Sequence, residues 1–182
     1  MEFNNRLNPK VTTTEGKNHW HSRSIAVCAM IVSQDESVLI TQRSATMDTH
    51  PNKWCLPCGY LDWDESIHQA LIREVYEEVG IDISGQDVLM YHINDASKAD
   101  ELQNVTFHFM VAMDKNAADI VLTPSDEVQA TCWLTLDEVD ADQFMGKKAA
   151  FGHFERIKKA IAGIEPMHHT KLDAKETTQF KF

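Results

Sequence analysis

The chain has 182 residues, 43% of them hydrophobic and 25% charged, which is the make-up of a soluble globular protein long enough to bury one core. Its 28 acidic and 17 basic side chains give a formal charge of -11, which argues against non-specific binding to nucleic acid polymers or anionic membranes. A small phosphate-bearing substrate remains compatible with that charge, because a bound divalent cation reverses the sign locally.

The roughly 18 consecutive apolar residues of a membrane span occur nowhere in the chain. The opening MEFNNRLNPKVTTTEGKNHW has no apolar stretch of the kind a secretory signal needs. The expected location is therefore the cytoplasm. Cys28, Cys55, Cys58 and Cys132 are then expected as reduced thiols.

In chain order, residues 1–23 are polar and read as a flexible arm that becomes ordered near Trp20. Residues 24–165 form the folded domain, and 166–182 a polar tail. Ile25–Val32 is a short, continuous apolar run and fits a strand buried on both faces. After the turn at Gln34-Asp35-Glu36, Val38–Gln42 completes a hairpin, with Arg43 at its end. Residues 44–53 form a loop, and Trp54–Leu61 an extended stretch that delivers Gly59. A helix follows, with Asp62 or Asp64 as its cap and Gly80 as its left-handed stop. Asp87–Ile93 reads as a strand. Asn104–Met113 alternates apolar and polar residues and reads as a half-buried one. Ile120–Leu122 is expected as a short strand and Val128–Leu134 as the last. Asp137–Phe144 and Lys148–Ile164 follow as helices, the second amphipathic and ended by Pro166. The sum is a mixed sheet between helices, an α/β (α+β) layered domain.

The chemistry concentrates in residues 59–81, GYLDWDESIHQALIREVYEEVGI. At about 100° per residue, Glu77 lies about 60° to one side of Glu74 and Glu78 about 40° to the other. Leu71, Ile72, Val75 and Val79 occupy the neighbouring sector and pack inward. Three carboxylates in one sector repel one another unless a cation sits among them. Oxygen ligands point to a hard ion, Mg²⁺ or Mn²⁺. Arg73 can orient the carboxylates by a bidentate contact, and Gly59 lets the backbone come close to the ion.

This segment resembles the Nudix box at every defined position: Gly59, Glu65, Arg73, Glu74, Val75, Glu77, Glu78, Gly80 and Ile81. The chain is accordingly identified as a member of the Nudix hydrolase superfamily, with a looser likeness over about 24–140. The resemblance implies an α/β/α sandwich with a mixed β-sheet. It implies metal-dependent hydrolysis of a nucleoside diphosphate linked to another moiety, by water attack on phosphorus. Carried over by position, Glu74, Glu77, Glu78 and the Gly59 carbonyl hold the metal, and Glu74 is a candidate general base. Arg73 and Glu65 fix the box as part of the catalytic apparatus. Glu127 stands where many relatives place a further metal-binding or catalytic glutamate. Arg43 is a candidate for a substrate phosphate, and Trp20, Tyr60 and Trp63 for stacking on a base. The implied partner is a small nucleotide-like pyrophosphate substrate, and many members form homodimers, for which the arm and the C-terminal helix offer contacts.

Three departures bear on substrate and chemistry. Cys58 stands where relatives often have glycine, which makes Cys55-Leu56-Pro57-Cys58 a C-x-x-C, a pattern also found in redox pairs and metal sites. Leu39–Ser44 begins like the coenzyme A pyrophosphatase signature, but Asp48, Asn52 and Leu56 do not continue it. The proline of ADP-ribose hydrolases is absent from Asn94–Lys98. Two rival functions are a ligand-sensing domain that binds nucleotides without cleaving them and an isoprenoid-diphosphate isomerase using Cys58.

Overall fold

The computed structural model describes residues 10–16, 18–20, 24–94, 104–140, 149–162 and 168–171. The strands are β1 (Lys10–Thr12), β2 (Asn18–Trp20), β3 (Ile25–Val32), β4 (Ser37–Arg43), β5 (Trp54–Cys55), β6 (Cys58–Tyr60), β7 (Asp87–Asn94), β8 (Val105–Ala112), β9 (Val128–Thr135) and β10 (His168–Lys171). The helices are α1 (Ile67–Val79), α2 (Leu136–Asp140) and α3 (His153–Ile161). β1 and β2 make a separate hairpin, and the other eight strands share one mixed sheet.

The sheet is built outward from β3. It runs parallel to β8 over its whole length, from Ile25 opposite Val105 to Val32 opposite Ala112. The β3–β4 hairpin stays paired only at Val32 and Val38, and then the two strands diverge. β5 fills the gap on the β4 side and β6 on the β3 side. Between them the Pro57 carbonyl accepts a hydrogen bond from Ala29 N–H at 2.8 Å. The extended stretch before the helix is thus wedged into the sheet, which fixes the backbone at Cys58 and Gly59.

Period-two alternation sorts the two layers of the core. Val27, Ala29 and Ile31 of β3 pack with Leu71, Val75 and Val79 of α1. Cys28 and Met30 pack with Leu56, Ile40 and Ile157 of α3 on the opposite face. Each fully buried aliphatic side chain contributes about 1.5–3 kcal/mol of burial. The result is the α/β/α sandwich that the sequence predicts.

Several local expectations give way. α1 is capped by Ser66, not by Asp62 or Asp64. Ser66 Oγ accepts from Gln69 N–H at 3.2 Å, and the Gln69 side chain accepts from Ser66 N–H at 2.7 Å. This is a capping box, and it leaves Asp62 free to face Arg73. Gly80 does stop the helix, at φ 73°. No strand forms over 120–122; a 3₁₀ turn at Ala117–Asp119 precedes that stretch instead. The second long helix begins at His153 and not at Lys148, because Phe151 (φ 56°) and Gly152 (φ 67°) are both left-handed. α2 is described only to Asp140, and Phe144 of its expected span lies outside the described residues. β10 pairs with β7 within the stretch read as tail.

Ser66→Ala removes one half of the capping box. It is expected to cost about 1 kcal/mol of stability, read as a lower urea midpoint with an unchanged slope.

Candidate active site

Arg73 lies at the centre of the box. Its Nε and Nη2 donate to the two oxygens of Glu65 at 2.9 and 2.6 Å. Nη2 also donates to the Tyr60 carbonyl at 2.8 Å. Nη1 donates to Glu74 at 2.8 Å and to Glu77 at 3.0 Å. Asp62 approaches the same guanidinium at 3.9 Å. The Glu65 hydrogen bonds, followed by the charges of Glu74 and Glu65, hold the Arg73 pKa above its already high value. A single cation thus ties the β6 loop to α1, and Glu65 is itself held by Asp62 N–H at 2.8 Å.

Glu74 and Glu78 are 2% and 7% exposed. Glu74 packs against Gly59 so closely that a Cβ there would stand 2.0 Å from its carboxyl carbon. Only glycine fits at that position. Glu78 accepts from Cys58 N–H at 3.3 Å. Burial, then the negative potential of Cys55 and Glu74, push the Glu78 pKa well up. Two buried carboxylates one turn apart, with Arg73 reaching only the first, are short of positive charge. The residues fit a hard divalent cation with oxygen ligands. Glu77, 51% exposed, stands at the open edge.

Glu127 lies on a loop tied to the end of the same helix. Thr123 and Ser125 N–H groups satisfy the Val79 and Glu78 carbonyls at 2.8 and 3.1 Å, and the Glu127 carbonyl accepts from Ser44 at 2.8 Å. Trp63 is 73% exposed and does not line the cavity beside the box. The side chain of Trp20 lies outside the described residues.

That cavity measures about 330 Å³ and opens beside Gly59 on the α3 face of the sheet. Arg43 enters it from the end of β4. Its Nε donates to the Thr49 carbonyl at 3.0 Å, and its guanidinium lies 5.3 Å from the centre of the Phe151 ring. Asn104, His108 and Arg156 also line it, and none of these three stands out in the sequence. His108 is the polar member of an alternating strand, a position that faces water when a sheet has one bare face. Here α3 covers that face, so the ring is fully buried and forms part of the cavity wall.

The cysteines are free thiols. Cys55 and Cys58 are hydrogen-bonded to each other, which lowers Cys55 to about 7 and pushes Cys58 up. Cys28, His108 and His153 place their ligand atoms within 4.8 Å of one another. His153 Nδ1 accepts from Leu56 N–H at 3.0 Å, so Nε2 carries the proton and faces Cys28 Sγ at 3.7 Å. That ring offers no lone pair to a cation, and the trio does not fit a metal.

The fold is an α/β/α sandwich in which buried carboxylates lie beside a glycine loop and a polar cavity. The NUDIX domain model matches residues 22–154, and the chain belongs to that family. Nudix hydrolase 3 of Caenorhabditis elegans is 26% identical over 80% of this chain and 60% of its own length. A bifunctional NMN adenylyltransferase/ADP ribose pyrophosphatase from Francisella tularensis, solved with AMP and a Mn ion, is 19% identical with a TM-score of 0.63. It is matched over 78% of this chain and 42% of its own. The NUDIX domain of Shewanella oneidensis NrtR, solved with ADP ribose, is 21% identical with a TM-score of 0.63, over 79% of this chain and 89% of its own. The chain thus spans little more than half of the nematode relative. The two solved structures share its fold.

Burial, then neighbouring His153, Arg156 and His92, lower the His108 pKa to about 2. Burial, then Arg156, Arg43 and His50, lower His153 to about 3. Both rings are neutral when folded and take up protons on unfolding below about pH 6.5. Their contribution to stability is whole above that pH and is lost as pH falls towards the folded values. His108→Asn is therefore expected to flatten the fall in unfolding free energy by about 1.4 kcal/mol per pH unit between about pH 6 and pH 4, measured by urea titration.

Proposed function

We propose that the chain is a divalent-cation-dependent pyrophosphohydrolase. Its substrate is a nucleoside diphosphate linked to another moiety, cleaved by water attack on phosphorus. The observation that carries this reading is the pair of buried carboxylates, Glu74 against Gly59 and Glu78 on the Cys58 N–H, with Arg73 reaching only the first. The AMP and Mn ion bound by the Francisella structure support the same chemistry in a protein of this fold.

Glu74, Glu77, Glu78 and the Gly59 carbonyl would hold Mg²⁺ or Mn²⁺, with Glu127 as a further ligand from the adjoining loop. When bound, such an ion polarises the diphosphate and lowers the pKa of an attacking water. Arg73 and Glu65 act as positioning residues. They set the carboxylates in place and hold the Tyr60 carbonyl, and with it the β6 loop. Glu74, or Glu77 at the open edge, takes the proton of the attacking water. Arg43, fixed by Thr49 and stacked on Phe151, offers positive charge to the phosphates. Cys55 and Cys58 have no part in the reaction.

Glu78→Gln is expected to lower turnover by about two or more orders of magnitude while the protein stays folded. The substitution removes a buried charge, so the metal-free variant should melt no lower than the parent. Mg²⁺ should no longer raise its melting temperature. Unchanged turnover would remove Glu78 from the site. The double substitution Cys55→Ala and Cys58→Ala is expected to keep Mg²⁺-dependent hydrolysis within about threefold, and loss of turnover with a normal melting temperature would favour thiol chemistry. A panel of nucleoside triphosphates, ADP-ribose, NADH, dinucleoside polyphosphates, nucleotide sugars and coenzyme A, with and without metal, names the substrate. Tight binding with no turnover across the panel would favour a ligand-sensing domain.

A further inference from the structure

The cavity beside the box has the opposite electrical character from the box itself. The protein carries a formal charge of -11, yet among the described residues the cavity lining holds two arginines and no carboxylate. Arg43 stands at the box end, close enough to lower the Glu78 pKa. Arg156 stands away from it, where a second hollow lined by Tyr91, His92, Glu155 and Lys159 shares Gly152 and Arg156 with the first. Its Nη1 donates to the Phe151 carbonyl. Among the described residues it has no carboxylate partner. An arginine in an acidic protein with no carboxylate partner among the described residues is available to a ligand anion.

Two further observations point the same way. His108 is fully buried in the cavity wall, and neither of its ring nitrogens has a hydrogen-bond partner. Leaving a buried polar group unpaired costs free energy that a bound polar group would recover. The amino end of α3 also opens here, capped by Gly152 with no side-chain hydrogen bond. Its backbone N–H groups and dipole favour an anion.

We propose that this end of the cavity binds a phosphate monoester carried by the substrate in addition to the diphosphate at the box, with Arg156 as its main partner and His108 and the amino end of α3 beside it. The inference rests on the reading that the box holds the diphosphate through a metal ion. The substrate class is then a phosphorylated nucleoside diphosphate derivative, with one phosphate group outside the bond that is cleaved.

Matched probes test this on the full chain: NADH against NADPH for a 2′-phosphate, and dephospho-coenzyme A against coenzyme A for a 3′-phosphate. Dissociation constants are read by thermal-shift titration with Ca²⁺ in place of Mg²⁺, and turnover is scored separately with Mg²⁺. In the parent, at least one phosphorylated member is expected to bind about 10-fold or more tightly than its partner. Arg156→Gln should bring that ratio near one, while the unphosphorylated partner binds within about twofold of the parent value and the melting temperature holds. Lys158→Gln removes an equal charge from the same helix, outside both hollows, and should leave the ratio unchanged. Ratios near one for both pairs in the parent, or a ratio that survives Arg156→Gln, overturn the proposal. A clear ratio without turnover of any probe would instead overturn the pyrophosphohydrolase reading and leave this site standing.

Discussion

The site depends on one guanidinium. Arg73 is the cation that joins a helix to a strand, through Glu65, Glu74, Glu77 and the Tyr60 carbonyl. Its planar fork meets Glu65 with two parallel hydrogen bonds, a geometry that lysine cannot reproduce. Because Glu74 is held from that side, its carboxyl lies flat against Gly59. Because the Tyr60 carbonyl is held too, the glycine cannot move away. Exposed ion pairs contribute little to stability, and the half-buried Arg73 network acts chiefly to place groups.

What Arg73 leaves undone defines the chemistry. It reaches Glu74 but not Glu78, which is buried and accepts a hydrogen bond from the Cys58 backbone N–H. Burial and two negative neighbours hold the Glu78 carboxyl towards its protonated form. Positive charge placed beside Glu78 would favour its ionised form, and Arg43 already acts weakly in that direction.

Residues 59–81 were legible in the sequence because their spacing is local. A helix of 3.6 residues per turn places Glu74, Glu77 and Glu78 together whatever the rest of the chain does. The strands were legible for a similar reason, since the alternation of Val27, Ala29 and Ile31 against Cys28 and Met30 is local too. The cavity was not. Asn104, His108, Phe151 and Arg156 come from distant parts of the chain and meet only when α3 lies across the sheet. A histidine alternating with phenylalanines reads as a solvent face until the covering layer is known. The Ser66 cap does not stand out in the sequence because Asp62 and Asp64 are equally good capping residues, and the approach of Asp62 to Arg73 at 3.9 Å appears only in the folded chain.

The two kinds of chemistry meet on β6, a strand of three residues. Successive side chains on a strand point to opposite faces. Gly59 faces α1 and, having no side chain, admits the Glu74 carboxylate. Cys58 and Tyr60 face the other way and line the cavity, where Tyr60 Oη pairs with the Asn104 amide at 3.0 Å. The acidic site and the cationic cavity are therefore separated by one backbone thickness. This edge therefore carries buried carboxylates on one side and Arg43 on the other. That juxtaposition also accounts for Cys58 in place of a second glycine. Its side chain lines the cavity and packs against the α3-side core, while its backbone N–H donates to Glu78. A small apolar side chain at this position therefore adds packing to one layer without intruding on the carboxylates of the other.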